Sequence, residues 1–247
     1  MPGPTSLPAA DSGFIERTVG TDRVIFRTVN GATMVFGLGP PRGAPSDARL
    51  SALLGDVSGE PTRLRWCRQI HGSTIHHVDA GDQALREIGK GDGMVTNVSG
   101  VGLVVWTADC VPVLLAGAGT AAAVHSGWRG CAADVVGAAV EELCRRWAVT
   151  ANQLHAALGP SVCGACYEVG GEVIDALQSF QLPEERWLRR GGVDLRAFLG
   201  ARLEALGVPV RQIDTVGGCT VESQELASYR RDGTTAGRQW SMVFLER

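Results

Sequence analysis

Histidine and cysteine are the side chains of this 247-residue chain with the most evident chemistry, and the sequence contains five histidines and seven cysteines. Three of them, His71, Cys110 and His125, lie at the ends of apolar segments, each beside a glycine or a polar residue. Two imidazoles and one thiolate are ligands that zinc prefers, and three protein ligands leave a fourth position open, as in catalytic zinc sites. The sequence therefore predicts a catalytic zinc site, and for Cys110 and His125 the simpler alternative is a buried thiol and a histidine with its hydrogen bonds satisfied.

The apolar stretch that contains Cys110 and His125 supports this prediction. Its two strand-like segments, VPVLLA and AAAVH, flank a four-residue turn, which predicts a hairpin in which Ala116 faces Ala121. In that register Pro112 faces His125, and Cys110 lies two residues further along on the same face. Such a diagonal pair is roughly 7–8 Å apart, close enough for both residues to bind one ion.

A CxxC pair, Cys163 and Cys166, raises two further interpretations. A zinc ribbon needs a second CxxC or CxxH pair, which the sequence lacks, and a thioredoxin-like motif belongs at a helix start after a βαβ unit. We therefore interpret these cysteines as ordinary thiols, with Cys166 near the site. An odd number of cysteines in a chain of this size indicates reduced thiols and a cytoplasmic protein.

Most of the elements that must position these residues are short strands. Asn30-Gly31 is a strong hairpin turn, and the alternating pattern of residues 62–70 predicts a half-buried strand that ends just before His71. The glycine-rich turn at 91–96 contains Asp92, which we interpret as a turn former. Further strands are predicted at 23–29, 32–38, 154–158, 210–216 and 239–245, and further helices at 48–54, 172–180 and 195–206. The irregular alternation of strands and helices predicts an α+β fold with mixed sheets.

Arg129 lies where a helix is expected to begin. Apolar residues at three- and four-residue spacing predict an amphipathic helix over 132–147, with its N-terminus beside Trp128, Arg129 and Gly130. Free N–H groups and the helix dipole favour an anion at such a position, and a guanidinium would strengthen the binding of phosphate. The alternative is that Arg129 pairs with a carboxylate.

Composition excludes several classes of function. The net charge of −3 and the pI near 6.0 give no basic surface for nucleic acid or an anionic membrane. Residues 1–13 lack the features of a signal peptide and are expected to form a flexible tail before a single catalytic domain at 14–247. A monomer or homodimer that binds small molecules is expected.

Six motifs, in order, carry a family resemblance: RQIHG, TADCVPVLL, AVHSGWRG, GPSVCGACYEVG, CT and SYRRDGTTAGRQ. The chain, from Val24 to Leu245, resembles the YfiH or "laccase domain" family, whose name refers to multicopper polyphenol oxidases and which is associated with purine nucleoside phosphorylase and adenosine deaminase activity. The resemblance implies that zinc is held by His71, Cys110 and His125, and it implies a single-domain, four-layer α-β-β-α sandwich.

The same resemblance marks further site residues. It implies catalytic roles for Asp109, Arg129 and Glu168. Two segments depart from the family pattern, FGLGPPRGAPSDARL after the first hairpin and TTAGR near the C-terminus, and both are expected to affect substrate choice. The residues implied to bind substrate or phosphate are Gln69, Trp128, Arg129, Tyr167, Arg230, Arg231 and Arg238.

The expected function is a zinc-dependent purine nucleoside phosphorylase that converts adenosine, inosine or methylthioadenosine and phosphate into the base and the sugar 1-phosphate, with adenosine deaminase activity as an addition. One alternative is an amidase or deamidase that uses Cys110 and a histidine on peptidoglycan precursors. Another is a non-catalytic, zinc-containing binding domain, which the missing fourth ligand disfavours. A multicopper oxidase is disfavoured because the sequence has five histidines and no HxH pair.

Overall fold

The computed structural model describes residues 13–19, 22–38, 63–80 and 86–246. Residues 1–12 of the predicted tail, the predicted helix at 48–54 and residues 39–50 of the departing loop lie outside these ranges. The described strands are β1 (Ile15–Val19), β2 (Asp22–Val29), β3 (Ala32–Leu38), β4 (Arg63–Arg68), β5 (Ile75–His77), β6 (Arg86–Lys90), β7 (Gly93–Thr96), β8 (Val101–Thr107), β9 (Val111–Gly117), β10 (Thr120–Ser126), β11 (His155–Leu158), β12 (Leu188–Arg189), β13 (Gly192–Val193), β14 (Ile213–Thr215) and β15 (Gln239–Leu245).

Most of these strands form two mixed sheets. The first has seven strands in the order β1-β2-β3-β15-β8-β4-β6, and the second has six in the order β14-β11-β9-β10-β7-β5. In the first sheet β4 runs parallel to both β6 and β8, and in the second β5 runs parallel to β7 and β11 to β14. The predicted class, α+β with mixed sheets, is confirmed.

The helices follow the central hairpin and the later strands. None of the described helices is both long and apolar enough to cross a membrane. They are α1 (Trp128–Ala132), α2 (Val135–Trp147), α3 (Gly171–Gln178), α4 (Glu184–Trp187), α5 (Leu195–Ala205) and α6 (Tyr229–Asp232).

Apolar side chains fill the spaces between these layers. The alternation of β9 sends Leu114 and Ala116 into the core between the two sheets, and Val113 and Leu115 into a second core, where the six-stranded sheet packs on the helices. A third buried cluster, which includes Trp240, lies on the other face of the seven-stranded sheet. The three clusters therefore lie between the two sheets, between the six-stranded sheet and the helices, and on the outer face of the seven-stranded sheet.

Three connections pass from one sheet to the other at the same edge. β4, β6 and β8 are parallel neighbours, so their carboxyl ends meet at one edge of the seven-stranded sheet. From there the chain crosses to β5, β7 and β9 of the six-stranded sheet. The crossing segments contain His71, Asp92 and Cys110, respectively. This topology gathers residues that are distant in the sequence.

Both predicted hairpins are present. Asn30 and Gly31 adopt φ of 51° and 73° in the turn between β2 and β3, the left-handed values that a two-residue hairpin turn requires. Between β9 and β10, Ala116 faces Ala121 and Pro112 faces His125, so the predicted register of the central hairpin is confirmed.

The helix predicted over 132–147 begins later, at Val135, and the separate five-residue α1 precedes it. Asp134 breaks the helix because it adopts φ 54°, while its side chain accepts a hydrogen bond from the Gly137 N–H and caps α2. The guanidinium of Arg202 binds the same carboxylate from α5. The predicted start of the long helix beside Arg129 was therefore wrong.

The strand predicted over 210–216 is also shorter, because Val210–Gln212 forms a 3-10 turn and only Ile213–Thr215 pairs in the sheet. The amide of Gln212 donates to the carbonyl oxygens of Asn152 and Leu154. These side-chain bonds hold the turn against the sheet.

Candidate active site

The side chains of His71, Cys110 and His125 meet at the edge where the chain crosses between the sheets. Their ligand atoms all lie within 4.8 Å of one another. The two imidazole rings are 4.8 Å apart, centroid to centroid, and nearly perpendicular, at 81°. Two imidazoles and a thiol at this separation are a donor set that fits a zinc ion.

Asp92 organises this group, although its sequence context is that of a turn. It is fully buried, and its Oδ1 accepts a hydrogen bond from His125 Nδ1 at 2.8 Å. The same carboxylate accepts from the backbone N–H groups of Ile70, His71 and Gly72 at 3.2, 2.9 and 2.7 Å. These bonds hold His71 at φ 61°, a conformation that residues other than glycine rarely adopt.

This arrangement is the outer support that metal-binding histidines require. A carboxylate that accepts from one ring nitrogen fixes the tautomer and leaves the other nitrogen to face the metal. From the sequence, Asp92 was expected only to form a turn, and no local signal distinguishes it from other aspartates before glycine.

The charges of the group are coupled. Burial opposes ionisation of Cys110, but hydrogen bonds from His125 and His71 outweigh it and lower the pKa of the thiol to about 6. Burial also opposes protonation of His125, yet its bonds to Asp92 and Cys110 raise its pKa to about 9. For Asp92, the bonds from His125 and Gly72 outweigh burial and lower the pKa. Without a metal, the group therefore holds a thiolate beside an imidazolium at neutral pH.

Gly127 closes one side of the group. A Cβ at this position would lie 2.9 Å from Cys110 Sγ and 3.0 Å from His71 Cδ2. Its φ of −83° is open to any residue, so the constraint is one of space and not of backbone conformation. The AVHSGWRG motif thus supplies both a ligand, His125, and the room that the ligands need.

A cavity of about 680 Å³ opens onto the group. A volume of this size is typical of sites for small molecules. Seven predicted site residues besides the three possible ligands line this cavity. They are Gln69, Asp109, Trp128, Arg129, Tyr167, Arg230 and Arg238.

Two arginines of this wall lie over aromatic rings. The guanidinium carbon of Arg129 is 4.3 Å from the centroid of the Trp128 ring, and that of Arg230 is 5.0 Å from the Tyr167 ring. Arg230 also donates to the Glu168 carbonyl oxygen at 2.9 Å. Stacking orients both cations, and the bond to Glu168 further orients Arg230. The cavity therefore offers fixed positive charge beside the imidazole–thiol group.

Asp109 has both carboxylate oxygens occupied. Oδ1 accepts from the Thr220 hydroxyl and Oδ2 from the Arg230 N–H, each at 2.6 Å. Asp109 adopts φ 84°, so these bonds hold a strained backbone directly before Cys110. Its contacts are those of a residue that positions the cavity wall.

Two residues predicted for the site do not line the cavity. Neither Glu168 nor Arg231 is among the residues that line the cavity. Arg231 donates to the carbonyl oxygens of Thr220, Ser223 and Leu226 and pairs with Asp232, so it holds a loop together. Sequence reasoning could not separate it from its neighbour Arg230, because adjacent residues in a one-turn helix point in different directions.

Gln69 fixes the end of β8. Its side-chain amide donates to the Trp106 carbonyl oxygen at 2.7 Å, and its oxygen accepts from the Trp106 N–H at 2.8 Å. Trp106, Thr107 and Tyr229 also line the cavity and were not predicted. The buried Thr107 Oγ1 and Trp106 Nε1 have no hydrogen-bond partner within the described part of the chain.

Known proteins with similar sequences or structures belong to the family that the motifs indicate. A family model described as multi-copper polyphenol oxidoreductase laccase matches residues 11–246. A purine nucleoside phosphorylase of Streptomyces coelicolor is 39% identical over 98% of this chain and 98% of its own. An adenosine deaminase named RL5, from an unknown prokaryotic organism, is 37% identical over 68% of this chain and 66% of its own. The solved structure of the hypothetical protein YfiH of Bacillus licheniformis has a TM-score of 0.82 at 23% identity and covers 94% of this chain and 99% of that one.

Proposed function

The chain belongs to the family described as multi-copper polyphenol oxidoreductase laccase, which confirms the resemblance, and from this premise we propose that it is a zinc-dependent purine nucleoside phosphorylase. The proposed substrates are adenosine, inosine and methylthioadenosine, each with phosphate. The observation that carries the proposal is one cavity in which the His71, Cys110 and His125 group faces two oriented arginines.

His71, Cys110 and His125 are the proposed zinc ligands. The fit of the donor set rests on their separation, on the Asp92 carboxylate behind His125 and on the space that Gly127 leaves. When bound, the ion would supply Lewis-acid chemistry at this end of the cavity, held by these three side chains.

Arg129 and Arg230 are the proposed phosphate-binding residues, with Arg238 as a third cation in the wall. Phosphorolysis breaks the bond between the base and the anomeric carbon and forms a bond from that carbon to a phosphate oxygen. Guanidinium groups that are already oriented by stacking can hold the phosphate for this attack with little further loss of entropy.

The nucleoside is proposed to lie between the aromatic side chains of the cavity. Trp106, Trp128, Tyr167 and Tyr229 are the aromatic residues that line it. Burial raises the pKa of Tyr167 to about 12, so the phenol stays protonated and can donate a hydrogen bond to the leaving base. Asp109 is proposed to position Arg230 instead of transferring a proton, since both of its oxygens already accept hydrogen bonds.

Adenosine deaminase activity at the same site is part of the proposal, and the relative named adenosine deaminase supports it. A copper oxidase is not proposed. All five histidines lie in the described residues, and only His71 and His125 belong to a group of possible metal ligands there. We propose the cytoplasm as the location, since seven free cysteines suit a reducing compartment.

The test is turnover of the purified protein with adenosine, inosine and methylthioadenosine, each with and without phosphate, followed by chromatography of bases and sugar phosphates. Release of base together with sugar 1-phosphate, only when phosphate is present, is the expected result. Release of inosine and ammonia from adenosine without phosphate would assign deamination as the main activity. Failure to convert any of the three nucleosides in the zinc-loaded protein would reject the proposal.

An amidase with Cys110 as nucleophile is a second candidate, because His125 and His71 lower the pKa of this thiol to about 6 after outweighing burial. Alkylation with iodoacetamide distinguishes the zinc-dependent phosphorylase from the amidase. A thiolate bound to zinc should be alkylated slowly until a chelator removes the metal, whereas a free catalytic thiolate should be alkylated at once. Rapid labelling of Cys110 in the zinc-loaded protein, with equal loss of activity, would favour the amidase.

A further inference from the structure

A second group of possible metal ligands lies in two loops, one after β11 and one after β14. Cys163 and Cys166 come from the first loop, and Cys219 and Glu222 come from the second. Their ligand atoms all lie within 4.8 Å of one another. This group shares no residue with the His71, Cys110 and His125 group.

Backbone contacts hold the three thiols in place. Cys166 N–H donates to the Cys163 carbonyl oxygen at 3.0 Å, which closes the tight turn that brings these two thiols together. Cys163 N–H donates to Cys219 Sγ at 3.3 Å. Ser161 and Cys219 form a bridge between the loops, and the Thr220 N–H donates to the Ser161 carbonyl oxygen at 3.1 Å.

Glu222 approaches the thiols from the exposed side. Its Oε1 lies 3.8 Å from Cys166 Sγ. From the sequence alone the CxxC pair is interpreted as ordinary thiols, because a second CxxC or CxxH pair is absent. The fold instead supplies Cys219 and Glu222, a C-x-x-E pair, from 56 residues further along the chain.

We propose that Cys163, Cys166, Cys219 and Glu222 form a second metal site, which binds one zinc ion through three thiolates and one carboxylate. Four protein ligands complete the tetrahedral shell, so this zinc is structural.

The zinc would hold the wall of the catalytic cavity. Thr220, next to Cys219, donates to Asp109, and Tyr167 follows Cys166 directly in the chain and lines the cavity. Arg231 binds the Thr220 and Ser223 carbonyl oxygens from α6, the helix that also carries Arg230. The ion would thus join the two loops that position Tyr167 and Arg230.

Elemental analysis tests the site without reference to activity. After incubation with zinc and removal of excess, the wild type should hold about two ions per chain, and Cys110→Ala and Cys219→Ala about one each. Cys144→Ala is the matched control, since this helix α2 cysteine belongs to neither group, and it should retain both ions. Zinc that survives Cys110→Ala and is lost with Cys219→Ala supports the second site even if the proposed function fails.

Two further measurements keep the test independent of a folding defect. Glu222→Gln and Cys166→Ser change exposed or half-buried side chains, and each should lower the zinc content of the Cys110→Ala background in competition with a chelator. Cobalt in Cys110→Ala should give strong thiolate-to-metal charge-transfer absorption. A wild type with no zinc, or with one ion that Cys110→Ala abolishes, would overturn the proposal. So would a disulfide among Cys163, Cys166 and Cys219 in protein isolated without oxygen.

Discussion

Asp92 connects the segments that carry His71 and His125 through hydrogen bonds. Its carboxylate bonds to His125 and to the N–H groups around His71, so one buried charge joins two ligand-bearing segments. The carboxylate stays ionised because these donors outweigh the cost of burial. The orientation of both imidazoles therefore depends on a residue that does not itself belong to the ligand set.

Replacement of Asp92 by Asn should lower zinc affinity at the catalytic site by about 10- to 100-fold, the usual effect of losing a carboxylate behind a metal-binding histidine. The measurement is competition with a chelating dye. Asp175→Asn, an exposed change on α3, is the control and should leave affinity unchanged. Equal affinity in Asp92→Asn and the wild type would contradict the supporting role.

Replacement of Arg129 by Ala should raise the KM for phosphate at least about tenfold, as expected from the loss of roughly 1.5–3 kcal/mol of charge-assisted hydrogen bonding. The kcat/KM for the nucleoside at saturating phosphate should change less. Steady-state kinetics with varied phosphate gives the result, and Arg145→Ala, an exposed cation on α2, is the control. An unchanged phosphate KM would assign the anion to Arg230 and Arg238.

Zinc affinity at the catalytic site should rise with pH up to about 9. The pKa of His125 is raised to about 9, so below that pH zinc must displace a proton from the ring, whereas above it the neutral ring is ready to bind. Between about 6 and 9, where the Cys110 thiol is already ionised, the gain should approach tenfold per pH unit. Calorimetry of Cys219→Ala in buffers of different ionisation enthalpy counts the protons released, and zero release at pH 7 would refute this.

The meeting of His71, Cys110 and His125 could be predicted from sequence, because each lies at or just beyond a strand end and has few polar neighbours, but the contacts of Asp92 could not. An aspartate before glycine is usually a turn residue, and only the contact with His125, 33 residues away, distinguishes it. The contacts of Arg231 were equally invisible in the sequence. Its partners are carbonyl oxygens that only the folded loop brings together.

Among the elements, the hairpins were predictable because their turns are local. The β9–β10 register follows from a short loop and an alternating pattern, both visible in sequence. The boundary between α1 and α2 was not predictable, because Asp134 is held at its break partly by Arg202 of α5, 68 residues away. Local sequence patterns therefore predicted the bounds of the β9–β10 hairpin, which lies beside Cys110 and carries His125, better than the start of the helix that follows it.

The junction between β10 and α1 should tolerate no side chain. Gly127→Ala would bring a Cβ to 2.9 Å from Cys110 Sγ, and overpacking of this kind costs about 1–3 kcal/mol. We expect zinc affinity at this site to fall while the fold survives. Gly171→Ala is the matched control, since its Cβ would meet nothing within 4 Å. Full zinc content under chelator competition in Gly127→Ala would show that the ligands can move aside.

At the scale of the whole molecule, the class of the fold was predictable and the pairing of its strands was not. Irregular alternation of strands and helices indicates α+β, but β15 pairs with β3 and β8, strands from much earlier in the chain. No local signal specifies such partners. The three crossings at one edge, which create the site, were for the same reason visible only in the structure.

Metal removal should destabilise the whole domain, because the catalytic ligands join segments of both sheets. Free zinc at about 1,000 times its Kd contributes about 4 kcal/mol, which corresponds to roughly 10 °C in Tm for a domain of this size. Thermal unfolding with and without a chelator is the measurement. Zinc should restore the Tm and magnesium should not, since magnesium prefers oxygen ligands. A Tm that the chelator leaves unchanged would contradict the prediction.

The crossings at one edge also determine when the metal-binding residues can come together during synthesis and folding. His71 emerges first during synthesis, but its partners lie on a hairpin that is complete only when residue 126 has been made. The hairpin can then close within about 1–10 μs, whereas His71 reaches it only after the two sheets have come together. The nascent chain therefore has no complete ligand set at any stage before the sandwich closes. We expect metal loading at this site to report on finished tertiary structure, and a truncated chain that ends before β9 to lack the site entirely.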